Sequence, residues 1–226
     1  MFKRKKEKMN VSDIRNTLQT MYDKEQFITD KTGCKTIQIL GASFIADEPT
    51  IFGEVNQDYI DAEINWYKLG STNIHDIDYD PTPAAWKYTA DNNGEINSNY
   101  GKLIYSPIYY SQYVNAKEEL QRNSNSRRAT MVYTRPSIWE EYQDNGKNDF
   151  ICTNAVSFYI NSLSQKVDCV VQMRSNDAVY GFKNDYAWHK YILDKLSDDL
   201  GYDSGVIYWQ VQNLHIYERH FKHLEK

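Results

Sequence analysis

The chain has 226 residues and a formal net charge of −5, which fits one domain large enough to bury a continuous core. The mild negative charge argues against a nucleic-acid scaffold, and three cysteines without CxxC spacing argue against a disulfide framework or a zinc site. No apolar stretch approaches the roughly 20 residues that span a bilayer, and the N-terminus lacks the apolar core of a secretory signal.

The chain begins with a basic run, Lys3 to Lys6, so we predict a disordered lead-in over residues 1–10 and a single domain over residues 11–226. Apolar spacing predicts helices, and β-branched or aromatic runs predict strands. In chain order, the predictions are a helix with Ser12 as N-cap, a strand over 35–41 ending at Gly41, a helix over 59–69 before Gly70, loops over 71–99, a helix over 110–121, strands over 129–133, 152–160 and 167–173, a helix over 185–200 before Gly201, and a strand over 206–214. The order is mixed without a βαβ rhythm, which favours an α+β fold with a mixed β-sheet core flanked by helices.

Cys152 is the candidate nucleophile, although a cysteine near the start of an apolar strand is more often a buried, inert thiol. Cys169 has the same kind of setting without a motif around it, so we assign it to the core. Cys34 follows Gly33 in a predicted loop and carries no further signal. A free thiol has a pKa of about 8.5, so a site that uses Cys152 must stabilise the thiolate, for example with nearby arginines.

Polar motifs accompany Cys152 in a fixed order along the chain. Arg174 and Ser175 end a predicted strand, and a guanidinium with a neighbouring hydroxyl suits a phosphate group. His215 and Tyr217 alternate on a strand and therefore face the same side. The remaining members of the series are Ser126, Arg127, Arg128, Asp177, Gly181, Asn184 and Asp185. Singly, each has an ordinary explanation, such as a solvated charge on the surface.

Together, these motifs resemble the thymidylate synthase superfamily over roughly residues 13–221. The resemblance implies a thymidylate synthase-like catalytic domain in which Cys152 adds to C6 of a pyrimidine nucleotide. It assigns the nucleotide phosphate to Lys31, Arg174 and Ser175, and the deoxyribose hydroxyl to the His215–Tyr217 pair. It also implies a homodimer in which Arg127 and Arg128 reach across the interface into the partner's phosphate site.

The same resemblance implies 5,10-methylenetetrahydrofolate as co-substrate, with no metal. Glu63, in an E-x-x-W context, corresponds to a glutamate that manages proton transfer through water, and Tyr100 corresponds to a tyrosine near the nucleophile. Asp177 corresponds to a contact of the folate pterin, and Trp86 to a wall of the folate cleft. Without the family context, a glutamate on a helix is usually a solvated surface residue.

Asp185 decides which base the site accepts. The synthases have an asparagine here that donates to uracil O4, whereas an ionised carboxylate only accepts and therefore suits the 4-amino group of cytosine. Such a carboxylate also favours protonation of N3. Two alternatives remain: Asp185 only starts a helix, or a shift of one residue makes Asn184 the base reader.

The resemblance is therefore greater to the phage deoxycytidylate hydroxymethylase branch, and Ile151 and Thr153 beside the cysteine agree with that. The implied reaction converts dCMP to 5-hydroxymethyl-dCMP in the cytoplasm, without direct contact to nucleic acid or membrane. A thymidylate synthase or hydroxymethylase acting on dUMP, and a catalytically silent nucleotide-binding homologue, are the alternatives.

Overall fold

The computed structural model describes residues 8–30 and 32–225, so most of the predicted basic lead-in and Lys31 lie outside the described residues. The described chain forms one mixed sheet in which β6 pairs only with β7 and the other strands follow the order β1-β2-β7-β5-β4-β3. The strands are β1 (Ile28–Thr29), β2 (Lys35–Ile45), β3 (Thr130–Val132), β4 (Thr153–Asn161), β5 (Lys166–Met173), β6 (Asn176–Asp177) and β7 (Asp203–Tyr217). The β5–β7 and β6–β7 pairs are parallel and the others antiparallel, which confirms the predicted α+β class.

Seven α-helices accompany the sheet in the described parts of the chain. They are α1 (Val11–Asp23), α2 (Gln57–Leu69), α3 (Ala84–Thr89), α4 (Tyr100–Tyr105), α5 (Gln112–Arg122), α6 (Ile138–Glu141) and α7 (Gly181–Leu200), with 3-10 turns at Ile74–Asp76, Pro107–Tyr109, Asp144–Gly146 and Glu218–His223. Gly70 and Gly201 end α2 and α7 in the left-handed region, as predicted, because glycine adopts that conformation without a Cβ penalty.

Two predicted boundaries were wrong for local reasons. The N-cap of α1 is Asn10 rather than Ser12: the Asn10 side chain accepts from the Asp13 amide, and the Asp13 carboxylate accepts from the Asn10 amide at 3.0 Å. Gly41 does not end β2, which continues to Ile45 through a residue with φ 66°. Residues 71–99 are mostly loops, as predicted, but include the short helix α3.

The helix α7 begins at Gly181, four residues earlier than predicted. Asp185 therefore lies in the second turn, and the alternative that it only starts the helix is wrong. Phe182 and Trp188 on the inner face of α7 are 0% exposed, and the Phe182 ring meets Trp209 of β7 at 5.1 Å between centroids. Burying each large apolar side chain stabilises the fold by roughly 1.5–3 kcal/mol, so this contact fixes the helix on the sheet.

The site occupies the region where the start of β4, the end of β5, β6 and the first turns of α7 meet. Arg174 follows β5, and its amide donates to the Cys152 carbonyl at 2.9 Å, which ties the two motifs together beyond the last strand pair. Among the described residues, no helix has both the length and the apolar character needed to cross a membrane.

Candidate active site

Cys152 and Arg174 form the first pair of the site. The half-buried thiol lies 3.5 Å from Arg174 Nη2. The guanidinium is held in place because Nε donates to the Ile151 carbonyl at 3.0 Å and Nη2 donates to the Phe150 carbonyl. It also stacks 4.8 Å above the Phe150 ring. Arg174 is thus positioned before any ligand binds, and its charge reaches the sulfur.

The thiol itself is not activated by these contacts alone. Burial raises the pKa of Cys152 to about 11, Arg174 opposes this rise, and the carboxyls of Asp185 and Asp149 add to it. Asp149 is buried and accepts from the Asn97 amide at 2.6 Å and from the Ser98 hydroxyl at 2.6 Å. The thiol is therefore mostly protonated at neutral pH, and a further cation or the loss of a neighbouring negative charge would promote its ionisation.

Asp185 points into the same site. Its Oδ2 accepts from Asn176 Nδ2 at 2.7 Å, and Tyr100 also hydrogen-bonds to the carboxyl. Burial, together with the nearby Glu63, raises the pKa of Asp185 to about 8. This pKa favours the neutral acid at pH 7, whereas the sequence predicts an ionised, acceptor-only carboxylate. A protonated carboxyl offers one donor and one acceptor along its edge.

Glu63 is the second carboxyl with a raised pKa. It is 5% exposed on α2, and burial raises its pKa to about 7 despite hydrogen bonds from Tyr59 and Trp86. Trp86 Nε1 donates to Glu63 at 3.1 Å and to the Tyr59 hydroxyl at 2.9 Å. Glu63 is thus shielded from bulk solvent with a pKa near neutrality, which is what a proton-transfer carboxylate needs.

The raised pKa of Glu63 predicts a stability cost at high pH. An unfolded chain has a glutamate pKa of about 4.3, so between that pH and about 7 the folded state binds more protons and the free energy of unfolding falls as pH rises. We expect Glu63→Gln to remove about 3 kcal/mol of this decline between pH 4.5 and pH 8. Urea unfolding at pH 4.5 and pH 8 gives the free energy of unfolding of the variant and of the wild-type protein. Replacing the exposed Glu118 of α5 by Gln is the control, and an unchanged slope in Glu63→Gln would contradict the prediction.

Candidate sugar and folate contacts lie together on β6 and β7. Asp177 is paired with His215 across β6 and β7, and its carboxylate accepts from the Tyr180 amide at 2.9 Å. The rings of His215 and Tyr217 meet edge to face at 4.8 Å, so they share one side of β7 as predicted. Burial lowers the pKa of His215 although Asp177 opposes the change, which favours the neutral ring. A neutral imidazole has both a donor and an acceptor for a hydroxyl group.

Other predicted residues are not brought to this cluster within the described chain. Arg127 and Arg128 are exposed in the loop between α5 and β3, beside a surface cavity of about 530 Å³, and neither forms a salt bridge with a described residue. Ser175 follows Arg174 and Asn184 precedes Asp185 in the sequence, and both side chains are half-buried. Asn184 and Asp185 are adjacent on α7, and the contact with Asn176 belongs to Asp185.

Three site neighbours were missed from the sequence. Tyr59 donates to Glu63 from one helical turn earlier, and the i, i+4 spacing on α2 could have indicated it. Asn176 lies inside the Arg-Ser-x-Asp motif, between two assigned residues. Asp149 carries no local signal, because only the folded chain brings it near Arg174. Within the described residues, no three His, Cys, Asp or Glu side chains form a metal-binding group.

Comparison with known proteins agrees with this geometry. The family model described as "Thymidylate synthase" matches residues 13–226, so the chain belongs to the thymidylate synthase family. It is similar to the deoxycytidylate 5-hydroxymethyltransferases of Enterobacteria phages T4 and T2, each 49% identical over 220 residues, which cover 94% of this chain and 88% of the relative. A thymidylate synthase of Francisella tularensis subsp. holarctica (strain LVS) is 24% identical over 212 residues, 87% of this chain and 76% of that protein. The resemblance found in the sequence, including the closer likeness to the phage hydroxymethylases, is confirmed.

Proposed function

We propose that this protein is a folate-dependent deoxycytidylate 5-hydroxymethyltransferase, which converts dCMP to 5-hydroxymethyl-dCMP with 5,10-methylenetetrahydrofolate as co-substrate. The observation that carries the proposal is the convergence of Cys152, Arg174, Asp185 and Glu63 in one site. The 49% identity to proteins of that name supports the choice of dCMP and of hydroxymethylation.

The first chemical step forms a bond between the Cys152 sulfur and C6 of the cytosine. The nucleotide phosphate binds beside Arg174 and Ser175, and Lys31 adds a further cation. Asp185 donates its proton to N3 as the thiolate attacks, so the electron pair of the ring reaches C5 without a full charge developing on the base. The neutral form of Asp185 that predominates at pH 7 suits this role.

The remaining steps exchange the C5 hydrogen for a hydroxymethyl group. C5 attacks the methylene carbon of the co-substrate as the bond from that carbon to folate N10 breaks. Glu63, acting through water, then removes the C5 proton, and the electron pair of that C–H bond expels the folate by breaking the remaining bond to N5, which leaves an exocyclic methylene on the ring. Water adds to this methylene, N3 returns its proton to Asp185, and the Cys152–C6 bond breaks to release the product and regenerate the thiol. In this proposal, Asp177 and Trp86 border the folate, while His215 and Tyr217 bind the deoxyribose hydroxyl.

Tritium release from C5 tests the function. The protein is incubated with methylenetetrahydrofolate and either [5-³H]dCMP or [5-³H]dUMP, and the product mass is determined. We expect release from dCMP with a product heavier by one CH₂O unit. A preference for dUMP would favour the synthase-type alternative, and no release from either nucleotide would favour a silent homologue.

Trp86 is expected to tune Glu63 as well as to border the folate. The indole hydrogen bond lowers the pKa of Glu63, so Trp86→Phe should raise that pKa and move the acid limb of the activity profile to higher pH. We expect roughly ten-fold lower activity at pH 7, measured as tritium release across pH 5–9. Trp139→Phe, at a 68% exposed position, is the control. A pH profile that does not move would show that Trp86 serves only through packing.

We also propose that the active protein is a homodimer and that it acts in the cytoplasm. The free cysteines favour a reducing compartment of this kind. Gln172 and Gln210 are exposed on the sheet face opposite α7, and Gln172 Nε2 donates to Gln210 Oε1 at 3.1 Å. A second copy packed on this face would account for the exposure of Arg127 and Arg128, which form no salt bridge with a described residue and would enter the partner's phosphate site.

Mixing two inactive variants tests the shared site. We expect Cys152→Ser and the double variant Arg127→Ala/Arg128→Ala to be inactive alone. After dissociation and reassociation in equal amounts, about half of the dimers are hybrids, each with one intact site, so about a quarter of wild-type activity should return. If the arginines acted within their own subunit, mixing would restore no activity.

A further inference from the structure

Asn176 is a buried amide beside the base-reading carboxyl that the proposed mechanism does not use. It is 3% exposed in β6, and its Nδ2 donates to Asp185 Oδ2 at 2.7 Å. Its Oδ1 is also buried and has no hydrogen-bond partner among residues 8–30 and 32–225. An unpaired buried amide oxygen is unfavourable, so this atom marks a position where a ligand donor is expected.

The fold holds Asn176 in this position from two sides. β6 pairs with β7 through Asn176 and Leu214. On the other side, Gly181 opens α7, and a Cβ at that residue would lie 3.0 Å from Asn176 Nδ2 and 3.4 Å from Asp177 Cβ. The first residue of α7 therefore has to be small for the amide to reach Asp185 on the next turn.

A neutral Asp185 does not discriminate between bases by itself. Its proton can reside on either oxygen, so a carboxylic acid can pair with N3 and the 4-amino group of cytosine or with N3–H and O4 of uracil. The hydrogen bond from Asn176 Nδ2 makes the two oxygens of Asp185 inequivalent. Because Nδ2–H already points at Oδ2, that oxygen is an acceptor and the proton is favoured on Oδ1.

We infer that Asn176 is the specificity-determining partner of Asp185: its Nδ2 fixes the order of donor and acceptor on the carboxyl, and its free Oδ1 accepts a hydrogen from the exocyclic amine of a 4-aminopyrimidine nucleotide. This inference rests on the proposed function. The amine has two hydrogens, one for Asp185 Oδ2 and one for Asn176 Oδ1. A 4-oxo base has no hydrogen there and would face two acceptors, which a buried polar site rejects strongly.

The test compares Asn176→Leu, which has a similar volume without polar atoms, with the wild-type protein. We expect kcat/KM for dCMP to fall roughly ten- to one-hundred-fold while that for dUMP rises, as judged by tritium release with methylenetetrahydrofolate. Loss of the donor should also move the Asp185 limb of the pH profile to higher pH. Gly181→Ala displaces the Asn176 amide without removing it. We expect it to lower the ratio of kcat/KM for dCMP to that for dUMP by less than Asn176→Leu does.

Equal losses for dCMP and dUMP with an unmoved pH profile would overturn the inference, because a purely structural role affects both nucleotides alike. An unchanged dCMP/dUMP ratio in folded Asn176→Leu and Gly181→Ala would overturn it as well. The affinities for dCMP and dUMP, measured by calorimetry without folate, distinguish a failure of this inference from a failure of the proposed function. A wild-type protein that releases no tritium but binds dCMP in preference, and loses that preference in Asn176→Leu, supports the inference while rejecting the enzyme activity.

Discussion

Cys152→Ser is expected to lose at least about 10⁴-fold in tritium release from dCMP, because a hydroxyl at this position cannot supply the anionic nucleophile that the site requires. Arg174, 3.5 Å from the sulfur, stabilises a thiolate, whereas the same charge is insufficient to ionise an alcohol. The variant should still bind dCMP, since the contacts of the phosphate and the base are unchanged.

A second readout follows the covalent bond itself. A fluorine at C5 cannot leave as a cation, so 5-fluoro-dCMP with methylenetetrahydrofolate should trap the wild-type protein as an adduct visible in the intact mass, and Cys152→Ser should form none. Cys34→Ser is the matched control, because Cys34 is an exposed free cysteine outside the site. Adduct formation in Cys152→Ser, or activity within ten-fold of wild type, would refute the role of Cys152 as nucleophile.

Asp185→Asn is expected to reverse the base preference. An amide donates from Nδ2 to uracil O4 and accepts N3–H on Oδ1, but it has no acid proton to transfer to N3 of cytosine. We expect kcat/KM for dCMP to fall about 10²- to 10³-fold and tritium release from dUMP to rise, so that dUMP becomes the better substrate. Release from both nucleotides, measured in parallel at pH 7, gives the ratio directly.

Asp198→Asn provides the control for this change, since Asp198 lies exposed near the end of the same helix. It should leave the dCMP/dUMP ratio unaltered. If Asp185→Asn lost activity toward dCMP without gaining any toward dUMP, the carboxyl would be needed for the chemistry but not for selectivity. If the ratio stayed the same, the base would be read by other residues.

The two predictions depend on one electrostatic feature, the crowding of buried carboxyls around the thiol. Burial raises the pKa of Glu63, burial and the nearby Glu63 raise that of Asp185, and Asp185 adds to the rise that burial causes in the pKa of Cys152. Proton transfer from Asp185 to N3 leaves a carboxylate near the sulfur, so in the proposed mechanism it occurs as the thiolate gives up its own negative charge in forming the bond to C6. In the proposed mechanism, substrate binding and thiol ionisation are coupled for this reason.

The sequence identified the family, the mixed sheet and most of the elements, because these depend on local patterns. Period-two and helical spacing, and the glycines after α2 and α7, are visible in short windows. The motif order was likewise sufficient to nominate Cys152, Arg174 and Asp185. The sequence did not predict the N-cap of α1 or the continuation of β2 through Gly41, because both depend on hydrogen bonds to neighbouring residues rather than on propensity.

What only the tertiary structure decided is the charge state of the site. Residue names suggested an ionised, acceptor-only Asp185 and a thiolate supported by several arginines. The folded chain instead encloses Glu63 and half-buries Asp185, which raises the pKa of each, and leaves Arg174 as the described arginine that contacts Cys152. Burial and the distances between titratable groups control ionisation, and both arise when segments as far apart as α2, β6 and α7 pack together.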